Sequence, residues 1–482
     1  MKENFRKGLL IRALEGKGEV LTILGNYDNA INSFEMLVNY SENSNLQLSR
    51  AKRNISTIFI LKGNLKNALK LADEANSILK EDSIEEQIEK IEILTLYSWI
   101  YRIEGFLEKC LRKNKEGLEM IDKISSSVVC EKKKSHLKRL TAEIFGNLGL
   151  IFRAKGEYNK ALEHYQKSLS IFEEIDNKSG IAIVYANLGV LYSDEGEYDK
   201  SIEFYQKSLR IFEEIGDKRS IGLINGSLGI VYQNKGEYDK ALDLFQKKLS
   251  ISEMIGDIRS IGFVRGNLGV IYQNKGEYNK SIMEYEKSLK IFEAINDKKS
   301  IGMTLGNIGS LYLEMGRLKK AELFLSSAEK ILNDYKDKYY LPEILANIAE
   351  LKIRKSATGS FIKQALDYIQ RALKIAYETE LKEDIAKILI IKGLIEIKEM
   401  MEKMVNETKW EDNFIEAINI FQELNQPFWE AKAYYYYGEA LMIRGEKERA
   451  NEYLQKAQGI FEKITSKMYV KKVKSIILKR FY

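Results

Sequence analysis

At 482 residues the chain has room for two to four ordinary domains or for one long repeat array. Only two prolines, and no strand-type alternation between Gly/Pro turns, speak against a β-rich fold and for an all-helical one. Basic residues number 76 and acidic 70, and the segment 466–482 holds six of the basic ones and no acidic ones. The rest is therefore balanced at 70 to 70, which gives no general basic surface for nucleic acid.

No run approaches 18 apolar residues, so no transmembrane span is expected. Charges interrupt the apolar residues of "MKENFRKGLLIRALEGKGEV" too often for a signal-peptide core. Cys110 and Cys130 are the only cysteines and have no CxxC spacing, which suits a reducing compartment; a cytoplasmic location is expected.

In chain order, "GNYDNAINSF" (25–34), "GNLKNALKLADEA" (63–75) and "GFLEKCLRKNKEGL" (105–118) are weak copies of a pattern that becomes regular over 141–335. There glycine recurs every forty residues at 149, 189, 229, 269 and 309, and again at 156, 196, 236, 276 and 316. Phe152, Tyr192, Tyr232, Tyr272 and Tyr312 keep the same beat, as do small residues at 161, 201, 241, 281 and 321. Each unit reads as two amphipathic helices. In "SIGLINGSLGIVYQN", Ile221, Leu228 and Tyr232 share one side, and in "DKALDLFQKKLSI", Ala241, Phe245 and Leu249 recur at i, i+4 and i+8. Gly229 is expected to let the second helix approach near Ala241. One pair cannot bury its own faces, whereas stacked pairs can, which predicts a solenoid.

The turn "NKGEYDK" (234–240) has a place in this scheme: Gly236 makes the turn, Glu237 starts the helix, Tyr238 packs the pair and Lys240 faces solvent. Farther on, "FIKQALDYIQRAL" (361–373) and "WEDNFIEAINIF" (410–421) read as second helices of divergent units. "YGEALMIRGEKERANEYLQKA" (437–457) is again a weak copy. In the tail, Tyr469, Val473, Ile476, Ile477 and Phe481 form an apolar side among lysines, which reads as a capping helix.

The order Leu-Gly, an aromatic three residues on, then Gly-x-Tyr-x-x-Ala resembles the tetratricopeptide repeat, without gaps over 141–335. The resemblance implies an all-α, right-handed superhelical solenoid of antiparallel helix pairs, about eleven units in all. Its parts would be divergent repeats over 1–140, the regular array over 141–335, divergent repeats over 336–465 and a basic amphipathic capping helix over 466–482. The common repeat has 34 residues and usually a Pro near the end of its second helix. Here Glu173, Glu213, Glu253 and Glu293 occupy that place, so the helix should run about a turn further. It should stop at Gly216-Asp217, Gly256-Asp257 and Asn296-Asp297, the first residue taking the left-handed cap and Asp capping the next helix. Long units of this kind are similar to those of kinesin light chains, Pins-type modulators and prokaryotic signalling arrays, which implies binding of proteins or peptides.

The face opposite core Tyr232 would line the inner surface. It carries an apolar row, Ile183, Leu223, Phe263 and Met303 with Val190, Ile230 and Val270. Beside it run Asn147, Asn187, Ser227, Asn267 and Asn307, and a further row of Asp194, Asn234, Asn274 and Glu314. Asn donates and accepts at once, which suits the backbone of an extended peptide. The same residues would also serve as packing between neighbouring first helices. Arg153 and Arg265 fall near this surface and could read acidic groups; without a Lys/Arg ladder beside the Asn row, chaperone C-terminal tails are not the expected ligand.

His136 and His164 lack metal-ligand spacing, and no phosphate loop or GxSxG is present, so neither catalysis nor a metal or other cofactor is expected. The function expected is a protein-interaction scaffold that takes a peptide or helix in its concave groove. The alternatives are a regulatory or sensor module of a prokaryotic-type signalling system acting with a separate effector, and an RNA-binding helical repeat.

Overall fold

The computed structural model describes residues 2–23, 25–41, 44–356, 358–403 and 409–478, with no side-chain description for 2–7 and 478. It falls into two units, Met1–Leu191 and Tyr192–Tyr482. The described residues are all-α: 23 helices and no strand.

Unit 1 holds α1 (Lys2–Ile23), α2 (Tyr27–Tyr40), α3 (Asn45–Leu61), α4 (Leu65–Ile78), α5 (Ile84–Ile103), α6 (Leu107–Ser125), α7 (Glu131–Ala154), α8 (Tyr158–Glu174) and most of α9 (Lys178–Asp194). Unit 2 holds α10 (Tyr198–Ile215), α11 (Lys218–Asn234), α12 (Tyr238–Ile255), α13 (Ile258–Lys275), α14 (Tyr278–Ala294), α15 (Lys298–Glu314) and α16 (Leu318–Asp334). It continues with α17 (Leu341–Lys355), α18 (Gly359–Glu378), α19 (Lys382–Lys403), α20 (Trp410–Glu423), α21 (Pro427–Arg444), α22 (Lys447–Lys463) and α23 (Lys467–Leu478). Within each unit the helices pack as adjacent pairs, an odd-numbered helix against the even-numbered one that follows. The segments 361–373 and 410–421 lie in α18 and α20, second helices as predicted.

The punctuation of the pairs follows the sequence. Gly216 and Gly256 end α10 and α12 in the left-handed region, φ 73° and 71°, and Asn296 does the same after α14 at φ 54°. Asp217, Asp257 and Asp297 then cap the next helix, each carboxylate accepting from the N–H three residues on, that of Ser220, Ser260 or Ser300. With Glu in place of Pro, α10 and α12 run for 18 residues. At Gly229 the absent Cβ makes room for the Phe245 ring, which would lie 3.0 Å from it. The close approach is thus onto Phe245, one turn beyond the Ala241 expected to be the meeting point.

Unit 2 returns on itself. The turn before α10 meets the turn after α20: the Tyr198 hydroxyl donates to the Leu424 carbonyl at 2.7 Å, and the Asn425 amide to the Gly196 carbonyl at 3.1 Å. Gly236 lies under Ile464, and the Ser466 hydroxyl donates to the Asn274 carbonyl at 2.6 Å. Tyr238 therefore has partners beyond its own helix pair. It is buried edge-on against Phe428, in a core shared by α12, α13, α21, α22 and α23. The tail helix α23 buries Tyr469 and Val473 in that same core; Phe481 lies outside the described residues.

Candidate functional site: an inner groove of unit 1

One face of unit 1 is a groove of about 810 Å³ whose walls come from odd-numbered helices alone. Its lining includes Glu19 of α1, Arg53 and Asn54 of α3, Glu92, Trp99 and Arg102 of α5, His136, Arg139 and Asn147 of α7, and Ile183 of α9. The repeat explains this: second helices spend their apolar faces on the first helices of two neighbours, which leaves one face of each first helix for the groove. A recess of about 330 Å³ beside it brings Asn147, Ile183 and Asn187 together.

At the centre of the groove Glu92 is ringed by three cationic or ionisable donors. Arg53 approaches its carboxylate at 2.6 Å, His136 at 2.9 Å and Arg139 at 3.2 Å. Arg53 also pairs with buried Glu89 at 2.6 Å. Burial alone would raise the Glu92 carboxyl, but Arg53, His136 and Arg139 outweigh it and hold the group at about 2. Glu143, beside Arg139, is raised by its burial. Arg102 stands apart. Among the described residues it has no ion pair, and burial together with the neighbouring Arg153 pushes its guanidinium below the ordinary value.

The predicted site residues divide by unit. In unit 1, Asn147 and Asn187 are half-buried and Ile183 is 50% exposed in the shared recess. The side chains of Asn147 and Asn187 have no hydrogen-bond partner among the described residues. Arg153 is half-buried near the end of α7 and does not line the groove. In unit 2, Leu223 is 52% and Ile230 46% exposed, while Val270, Asn267 and Asn307 are half-buried. Phe263 stands edge-on to Phe292 with ring centroids 5.0 Å apart, so its ring packs within its own repeat. Arg265 is engaged by Glu284 at 3.0 Å and Glu253 at 3.4 Å. Asn274 is met from outside by Ser466 at its carbonyl, and Asn234 is half-buried two residues before Gly236, which Ile464 covers. Both thus belong to the stretch where unit 2 meets its own C-terminal turns. His164 is wedged in the α7–α8 interface, parallel to Phe152 with centroids 5.1 Å apart.

Sequence reasoning missed Arg53, Glu92, Arg102, His136 and Arg139. The available signal was their spacing: Arg53 and Glu92 are 39 residues apart and Glu92 and Arg139 47, near the repeat length, so all fall in first helices.

These features define a helical-repeat protein with a polar, charge-lined groove inside one unit. Residues 140–214 and 260–334 match the profile of the tetratricopeptide repeat, as do residues 226–256 with a second profile of the same repeat. The chain carries tetratricopeptide repeats over these stretches, and the matches include no catalytic family. A comparison with curated proteins finds no match. Among solved structures, the chain is similar to aspartyl phosphate phosphatase F from Bacillus subtilis, at 17% identity over 79% of this chain and 95% of that one, with a TM-score of 0.49. It is also similar to a signal-transduction ATPase with a tetratricopeptide repeat sensor from Pyrococcus horikoshii, at 20% identity over 68% and 50% of the two chains, TM-score 0.46. A third is BtubC from P. vanneervenii, at 19% identity over 49% and 92%, TM-score 0.40. No described helix is long and apolar enough to cross a membrane.

Proposed function

We propose that this protein-interaction module binds an extended segment of a partner protein in the inner groove of unit 1. The observation that carries the reading is the conjunction of Asn147 and Asn187, amides without protein partners, in a recess that opens beside a groove of about 810 Å³. Each amide can donate to a peptide carbonyl and accept from a peptide N–H, which is how a groove holds a backbone regardless of sequence. Ile183 and Trp99 offer apolar contact, and Arg102, lacking a counter-ion, receives an acidic side chain of the partner. The ring around Glu92 fixes the walls, because its charges are already spent on one another. The test is affinity purification from the native host with wild type and with Asn147→Ala/Asn187→Ala. The reading expects a partner protein lost from the double variant while its melting temperature stays within a few degrees of wild type. Retention of every partner by the double variant contradicts it.

A further inference from the structure

The first helix of unit 1, α1, carries apolar residues on two opposite faces. One face is spent within the protomer: Ile11 and Leu14 are buried, with Leu21 beside them, in a cluster that includes Phe34 and Leu37 of α2. Gly18 belongs to this face, since a Cβ there would lie 2.6 Å from the Phe34 ring. The opposite face is open. Leu9, Ala13, Gly16, Val20 and Ile23 follow one another at steps of four, three, four and three, the spacing of a seam between two helices. Leu9 is 51%, Val20 55% and Ile23 75% exposed. A helix apolar on both faces is one that is covered on both.

Gly16 sharpens this. Glycine inside a helix is unfavourable relative to alanine, and nothing in the protomer demands it here, because a Cβ at Gly16 would find no atom within 4 Å. A second helix crossing at Gly16 supplies the reason: a missing side chain lets two backbones approach.

We propose that this face is the interface of a homodimer, in which two copies of α1 cross antiparallel about a two-fold axis at Gly16. The stripe is self-complementary in that arrangement. Gly16 meets Gly16 at the crossing point, Ala13 meets Val20 of the second copy, and Leu9 meets Ile23 where the helices diverge and larger side chains fit. Charge selects the direction. Arg12 and Glu19 share one flank of the stripe, seven residues apart, and neither has a counter-ion among the described residues. The two-fold lays Arg12 against Glu19 of the second copy and repeats the pair, whereas a parallel arrangement would face Arg12 with Lys17. Lys17 lies on the other flank, near its own copy across the axis, and its long stem lets the two ammoniums part into solvent. One pair of crossing helices buries less than about 1,200 Å², which places the dimer in the micromolar range. Glu19 also lines the unit 1 groove, so the two grooves open on the same side of the dimer. The dimer does not depend on what the groove binds.

Sedimentation equilibrium of the full chain from about 1 to 200 µM reads the association. Wild type should show a reversible monomer–dimer equilibrium. Val20→Asp, which puts a charge in the seam, should weaken it about ten-fold or more. Arg12→Glu and Glu19→Arg should each weaken it about five-fold, and Arg12→Glu/Glu19→Arg together should return it to within about two-fold of wild type. Met254→Asp, at a position 69% exposed in unit 2, should leave it unchanged. Each variant is first matched to wild type in helical content and melting temperature, and Ile23→Asp replaces Val20→Asp should that variant not fold. A wild type that stays monomeric over the whole range overturns the proposal and leaves the face to a different partner. A dimer that survives Val20→Asp, or a double reversal no tighter than the single ones, overturns it as well.

Discussion

The hydroxyl of Tyr198 donates to the carbonyl of Leu424, 226 residues away, at 2.7 Å. This bond joins two turns of unit 2 that have no relation in the repeat, and it is one of a row. Gly196 meets Asn425, Gly236 meets Ile464, and Gly276 meets Met468. These three "GEY" turns thus act twice: they reverse the chain within a repeat and seat it on turns more than 180 residues later.

Replacing Tyr198 by Phe removes that bond and leaves a carbonyl short of a donor. The expected loss is about 1 kcal/mol in the denaturant unfolding of unit 2, with the helical signal of the native protein unchanged.

The glycines give a controlled comparison. Gly236 and Gly316 share a left-handed backbone, φ 77° and 73°, but a Cβ on Gly236 would lie 2.5 Å from Ile464, while one on Gly316 would meet nothing within 4 Å. Gly316→Ala should cost on the order of 1 kcal/mol for the backbone alone. Gly236→Ala should cost roughly 1–3 kcal/mol more by overpacking. Equal losses in chemical denaturation would refute the turn-on-turn contact.

Glu92 makes unit 1 sensitive to acid. Its folded carboxyl is held at about 2 against an ordinary 4.5, so the stabilisation is complete above pH 4.5 and is lost as pH falls toward 2. That lowering corresponds to about 3 kcal/mol. Unfolding free energies of unit 1 measured between pH 5 and 2.5 should fall accordingly, and Glu92→Gln should flatten that dependence. At pH 7 the same substitution should cost several kcal/mol, since Arg53 and Arg139 lose their shared counter-ion.

Tyr469 anchors α23, stacked on Phe461 with centroids 4.7 Å apart and edge-on to Phe428 at 5.6 Å. Tyr469→Ala should destabilise unit 2 by about 3–5 kcal/mol. By hydrogen exchange, α23 should lose protection first in this variant, because Tyr469 and Val473 are the side chains it buries in the shared core.

How much of this was legible in the sequence depends on what each feature rests on. The helix pairs, the left-handed Gly216, Gly256 and Asn296 and the capping Asp217, Asp257 and Asp297 could be read because all are set within one forty-residue unit. The partner of Tyr238 could not. It depends on how far unit 2 curves through α16 to α20, where aliphatic helices such as α17 and α19 carry no glycine-tyrosine mark. The same curvature brings Ser466 onto Asn274 and takes that residue out of the open row. Asn147, Asn187 and Ile183 do meet in one recess, since adjacent first helices set that meeting. The ring around Glu92 was obscured by the drifting period of the second to fourth repeats, where Arg53, Glu92 and Arg139 lie 39 and 47 residues apart.

The central claim is that a partner segment lies in the unit 1 groove, and site-specific photo-crosslinking tests it most directly. A photoreactive residue is placed at Ile183, in the recess, or at Ile258, 54% exposed at the start of α13. A protein crosslink is expected from position 183 that disappears in Asn147→Ala/Asn187→Ala, with none of that mass from position 258. A crosslink from 258 alone, or one from 183 that survives the double substitution, would contradict it.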